Sequence, residues 1–166
     1  MLNSKLTVEK FLQKQRFRKV FPYLKGHVLD FGGNKGELAQ FVKGSYSLIN
    51  EDYSLLEQPV EFDLIVALAV IEHIETSVVN ELFRKFKKVL KKSGSIIITT
   101  PAPKSKPVLE ILAFAGLLDR ENIKEHKHYW KEKELFNLAS STGFIISNYR
   151  KFQFGLNQFA RFVHKS

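Results

Sequence analysis

The sequence predicts an α/β fold, a doubly wound and mostly parallel sheet with an antiparallel pair of strands at its C-terminal end. Three observations carry this reading. Apolar runs of strand length alternate with segments of helical periodicity along most of the chain, the pattern of a parallel sheet with helices on both faces. The first apolar run ends in a cluster of glycines, LDFGGNKGEL (29–38), where a strand must turn sharply into the next element. The last two strand-like runs have no helical segment between them, so they pair as a hairpin.

The elements follow in order. Residues 7–21, TVEKFLQKQRFRKVF, favour a helix that Pro22 ends. Its apolar positions drift from Phe11 and Leu12 to Phe17, Val20 and Phe21, which predicts a bend or two short pieces. HVLDFG (27–32) reads as a buried strand. GELAQFVKG (36–44) reads as a helix presenting Leu38, Phe41 and Val42, with Gly44 as its C-cap. YSLIN (46–50) is a second strand, and FDLIVALAV (62–70) is apolar enough for a strand buried on both faces. SVVNELFRKFKKVLKKSG (77–94) places Val78, Val79, Leu82, Phe83, Phe86, Val89 and Leu90 on one stripe and closes at Gly94. SIIITTP (95–101) is a β-branched strand stopped by Pro101. PVLEILAFAGLL (107–118) is apolar around most of its circumference. Residues 131–144 read as a helix ending at Gly143, and 144–152 with 158–165 as the two antiparallel strands.

The bulk numbers exclude several classes. The 166 residues suit one domain, 1–166, with an N-terminal helical segment (1–26) and a cap segment (104–130) inside it. Hydrophobic residues at 44% and charged residues at 26% are those of a globular chain. With no cysteine there is no disulfide, thiolate nucleophile or Cys-based zinc site. The first residues are too polar for a signal peptide and no apolar run is long enough for a membrane span, so a cytoplasmic location is expected. Net charge is +9, much of it in KFLQKQRFRK (10–19) and RKFKKVLKK (84–92). That permits a nucleic acid or another anionic partner but does not by itself indicate one.

Strand ends are where such sheets bind ligands. Asp30–Gly36, Glu51 with Asp52, and Ala67–His73 all fall there. The glycine turn fails two nucleotide-binding patterns. A P-loop needs Gly-Lys-Ser/Thr opening the helix, and Gly36 is followed by Glu37; a dinucleotide fingerprint needs a glycine where Phe31 stands.

Three blocks in order resemble the class I S-adenosylmethionine-dependent methyltransferases: VLDFGGNKGELA, FDLIVALAVIEHIE and VLKKSGSIIITTPAP. The family's first motif is D-x-G-x-G-x-G. Asp30, Gly32 and Gly36 match it, and Asn34 stands in place of the middle glycine, the best non-glycine residue for a left-handed turn. The Glu72–His73 pair, Gly94 and Thr99–Pro101 match the later blocks, and EHKHYWKEKELFNLASSTGF resembles the closing region.

The resemblance implies a Rossmann-like methyltransferase fold that takes S-adenosylmethionine and releases S-adenosylhomocysteine. It implies that Asp30, Gly32, Gly33, Asn34 and Gly36 hold the methionine end and that Glu51 or Asp52 binds the ribose diol, as a carboxylate can. It also implies that the backbone of Ala67, Leu68 and Ala69 faces the methionine end. His73, His128 and Tyr129 are the candidates for handling the acceptor, His73 by positioning or proton removal. No metal is expected, because His126 and His128, two apart, share a side only on a strand. Only YSLLEQPVE (53–61) lies where the family has a helix and a third strand, so that strand is expected to be absent. The acceptor is open: a small molecule, or a lipid- or sugar-linked one. The alternatives are a degenerate binding or scaffold protein on the same fold, and a basic nucleic-acid binder. Oligomeric state has no signature in the sequence.

Overall fold

The structure, a computed structural model, describes residues 2–165, without the side chains of residues 2–6 and 122. Among these residues one six-stranded sheet forms, from β1 (Lys25–Phe31), β2 (Lys43–Ile49), β3 (Phe62–Leu68), β4 (Leu90–Pro101), β5 (Phe144–Phe152) and β6 (Asn157–His164). Its order is β2-β1-β3-β4-β6-β5. The first four strands run parallel, and β6 lies antiparallel to both β4 and β5. The expected fold class is the one observed.

Alternation along the strands divides the core between the two faces. Leu29, Phe31, Ile65, Ala67, Ile96 and Ile98 face α2 (Thr76–Val89) and α5 (Glu132–Thr142). Val28, Leu64, Val66 and Ile97 face α1 (Leu2–Val20) through Phe17 and Val20. Of the expected α2 stripe, Val79, Leu82, Phe83, Phe86 and Val89 are buried, whereas Val78 is exposed. Gly143 caps α5 at φ 78°, also as expected.

Several local expectations are overturned. The N-terminal helix is one continuous element of 19 residues rather than two short pieces. No α-helix forms over 36–44; only a 3-10 turn, Ala39–Phe41, lies there. Residues 32–42 must return the length of a seven-residue strand, roughly 23 Å. A 3-10 helix rises ~2.0 Å per residue against ~1.5 Å for an α-helix, so the tighter turns cover that distance with few residues. Gly44 is therefore no C-cap but part of β2, with φ 143°, and a Cβ there would collide with the Gly26 carbonyl.

The helix read as 77–94 stops at Val89, because Leu90 is drawn into the sheet opposite Phe62. Lys91 then reaches back to the Asp63 carboxylate at 2.8 Å. The apolar segment 107–118 yields a shorter α3 (Lys106–Phe114), followed by α4 (Arg120–Lys124). Ile111 and Phe114 of α3 are exposed, so it is no core helix. Between β2 and β3 the described chain forms only the 3-10 turn Tyr53–Glu57, and β2 is the sheet's edge.

The contact at Gly44 gives a direct check. Gly44→Ala combines a backbone clash with a left-handed φ, and is expected to lower unfolding free energy by at least about 2 kcal/mol in urea titrations. Gly94→Ala, where a Cβ would approach the Leu90 side chain at 2.8 Å and the Lys91 carbonyl at 2.9 Å but no left-handed φ is required, is expected to cost less.

Candidate active site

The parallel strands end on one edge, and the loops leaving that edge build the site. At the end of β1, Asp30 is 3% exposed, and its Oδ2 accepts a hydrogen bond from the Tyr46 hydroxyl at 2.8 Å. Burial, partly offset by that hydrogen bond, raises its pKa to about 6. The carboxylate lies under the glycine turn, and a Cβ on Gly33 would collide with it. Gly32, Asn34 and Gly36 all have left-handed backbones, with φ of 73°, 52° and 71°. Asn34 thus takes the conformation expected of the middle glycine.

What holds Asn34 there escaped the sequence reading. Asn50, the first residue past β2, accepts a hydrogen bond from the Asn34 N–H at 3.0 Å and donates to its carbonyl at 2.8 Å. The only available signal was a side-chain amide at a strand end, a residue type that can satisfy one backbone N–H and one C=O together. Glu51 and Asp52 follow it and are exposed. Asp52 accepts from the Ser54 N–H at 2.9 Å, which caps the next turn and lowers its pKa.

Past β3, Ala69 holds a left-handed φ of 58°, and its N–H bonds to the Thr99 carbonyl at 2.8 Å. A non-glycine residue pays strain for that geometry, so the ladder to β4 over-determines it. The next turn presents Glu72 and His73. Glu72 is 1% exposed, and its Oε2 accepts from the Thr100 hydroxyl at 3.0 Å. Burial raises its pKa to about 7, against which the Arg16 charge acts.

The chain returning from the cap is pinned to this turn. The Glu72 carbonyl accepts from the N–H groups of Lys127 and His128, and the Trp130 indole donates to the Ile71 carbonyl at 3.2 Å. The His126 ring meets the His73 ring edge to face at 4.7 Å, and its Nδ1 shares a hydrogen bond with the Tyr129 hydroxyl at 3.1 Å. Burial lowers the pKa of both histidines, that of His126 to about 4. His128 points elsewhere, sharing a hydrogen bond with Glu134 at 3.0 Å at the start of α5. The structure therefore joins His73 and Tyr129, adds Glu72 and His126, and leaves His128 outside. Because residues 126–131 are irregular rather than a strand, His126 and His128 need not share a side.

The donor set suits a ligand with a cationic amino-acid end. A buried carboxylate with one hydroxyl partner gains from an ammonium group beside it. The left-handed turn above it carries little side-chain bulk, and a Cβ at Gly32 would lie 2.6 Å from Val70. The residues present thus fit the methionine moiety of S-adenosylmethionine.

A family model described as a methyltransferase domain matches residues 7–147. Comparison with curated protein sequences finds no match. Among solved structures, the pyocyanin biosynthetic protein PhzM aligns with TM-score 0.69 and 13% identity, over 92% of this chain and 55% of its own. Mitomycin 7-O-methyltransferase MmcR aligns with TM-score 0.64 and 13% identity, over 84% of this chain and 49% of its own. The chain thus spans about half the length of these two structures. Magnesium protoporphyrin IX methyltransferase from Synechocystis PCC 6803, solved with bound S-adenosylhomocysteine, aligns with TM-score 0.58 and 16% identity, over 97% and 83%. At these identities the likeness is one of fold. No helix among the described residues is long and apolar enough to cross a membrane.

The elevated pKa of Asp30 has a signed consequence. The folded carboxyl holds its proton up to about pH 6, while the unfolded one releases it near ~3.9. The native state binds more protons in that window, so this group's contribution to stability falls as pH rises through it and is flat above. Asp30→Asn is expected to remove that fall, worth about 3 kcal/mol, which chemical denaturation of both proteins between pH 4 and pH 7 checks.

Proposed function

The chain belongs to the methyltransferase-domain family, and on that premise we propose that it transfers a methyl group from S-adenosylmethionine to a small-molecule or lipid- or sugar-linked acceptor. The observation that carries the proposal is Asp30, a buried carboxylate beneath a left-handed glycine turn. S-adenosylmethionine supplies an activated methyl on a sulfonium leaving group and departs as S-adenosylhomocysteine. Because the donor is already activated, the protein's task is mainly to hold donor and nucleophile in line.

In this reading Asp30 ionises against the ammonium of the methionine end. The backbone of Gly32, Gly33, Asn34 and Gly36 gives that end room, and Asn50 keeps the turn open by clipping Asn34. Glu51 or Asp52 takes the ribose hydroxyls, and the backbone of Ala67, Leu68 and Ala69 lines the other side. His73 and Tyr129 meet the acceptor. His73 is kept neutral by burial and so can take a proton. His128 acts through Glu134 and the start of α5, as a positioning residue.

A scaffold without turnover is the second reading, favoured by the turn after β1 forming no α-helix whose N-terminus could face the donor. Calorimetric titration with S-adenosylmethionine and S-adenosylhomocysteine, with NAD as control, separates the two. Micromolar binding of the first two alone is expected. Loss of a charge-assisted contact, worth roughly 1.5–3 kcal/mol, is expected to weaken binding about ten- to a hundredfold in Asp30→Asn. Asn50→Ala is expected to weaken it less, by loosening the turn. Absence of binding by the wild-type chain, or binding without turnover on any acceptor, would favour the scaffold reading instead.

A further inference from the structure

We propose that Glu72, His73 and His126 form a binding site for a borderline divalent transition ion such as Zn²⁺ or Co²⁺. One donor atom from each residue, a carboxylate oxygen and two imidazole nitrogens, lies within 4.8 Å of the others. Bonds of ~2.1 Å to a common centre bring donors to roughly 3–3.5 Å apart, so small side-chain rotations close the set. Two imidazoles with one carboxylate select such ions over Mg²⁺ or Ca²⁺, which prefer oxygen alone.

The surroundings favour the same assignment, because each donor residue has an outer partner that fixes its orientation. His126 shares its Nδ1 with the Tyr129 hydroxyl and so keeps Nε2 for the ion. The His73 ring is bonded to the Glu125 backbone, which leaves its second nitrogen. Thr100 holds Oε2 of Glu72. The main chain is held as well, since Lys127 and His128 donate to the Glu72 carbonyl and so fix the returning segment against the turn after β3. Arg16 supplies the counter-charge to Glu72 when no ion is bound.

With three protein ligands the ion keeps open positions for water or an acceptor oxygen. That the acceptor lies there rests on the methyltransferase reading, and implies an oxygen acceptor. In this arrangement the free nitrogen of His73 binds the ion rather than a proton.

The test uses the full chain, stripped with EDTA and titrated with ZnCl₂ by calorimetry. One equivalent is expected, with affinity weakened at least about tenfold in His126→Ala and in Glu72→Gln. His27→Gln, at the opposite end of β1, is expected to bind as the wild type does. Should a site variant fail to fold by circular dichroism, imidazole NMR of the wild-type chain decides: Zn²⁺ must shift His73 and His126, and not His27 or His164. No stoichiometric uptake, uptake indifferent to both variants, or shifts at other histidines overturns the site. Titrating the same stripped protein with S-adenosylmethionine keeps the readings apart. Donor binding without Zn²⁺ uptake removes only the metal site, and Zn²⁺ uptake without donor binding removes only the methyltransferase reading.

Discussion

Everything that carries chemistry in this molecule depends on the parallel register of β1 between β2 and β3. Asp30 lies opposite Leu48 on one side and Val66 on the other. Strands in this register end together, so the glycine turn, Asn50 and the Ala69 turn leave the sheet side by side. The N–H of Gly32 extends the ladder by one bond, to the Ile49 carbonyl at 2.7 Å. The turn is thus anchored before it opens. A slip of one residue would carry Asp30 to the other face of the sheet, because side chains alternate with a period of two.

A second constraint ties the returning cap segment to the sheet. Trp130 is buried and donates to Ile71, while Gln158 on β6 donates to the Trp130 carbonyl at 2.7 Å. The Gln158 Oε1 in turn accepts from the Tyr149 hydroxyl at 2.8 Å. This chain of bonds runs from the antiparallel hairpin through the cap to the turn after β3. It fixes His126 and Tyr129 against His73 although 125–131 has no regular structure of its own. The helix α1 closes the other side, through Gln13 to Glu37 beside the glycine turn and through Glu9 to the Asp119 N–H.

Two buried acids stand at this edge, and they differ in what they lack. Among the described residues Asp30 has a phenol and no cation beside it, so its charge is held back by burial. Glu72 has a hydroxyl, two N–H donors on its carbonyl, and the charge of Arg16. Buried carboxylates are costly to ionise unless something positive meets them. The ammonium of the proposed cofactor would answer the first, and the divalent ion proposed between Glu72, His73 and His126 would answer the second.

The sequence by itself determined what rests on local pattern. Alternating apolar runs specify the strands, and the 3.6-residue stripe of Val79, Leu82, Phe83 and Phe86 specifies α2. The glycines and Asn34 specify a left-handed turn, because only those residue types reach it cheaply. Tertiary structure decided the rest. Leu90 leaves the helical stripe because Phe62 offers it a place in the sheet, and 36–44 forgoes a helix because few residues must span the return to β2. His73 against His126 and Asn50 against Asn34 come from separate segments, and no periodicity encodes a contact between residues that only the packed sheet brings together.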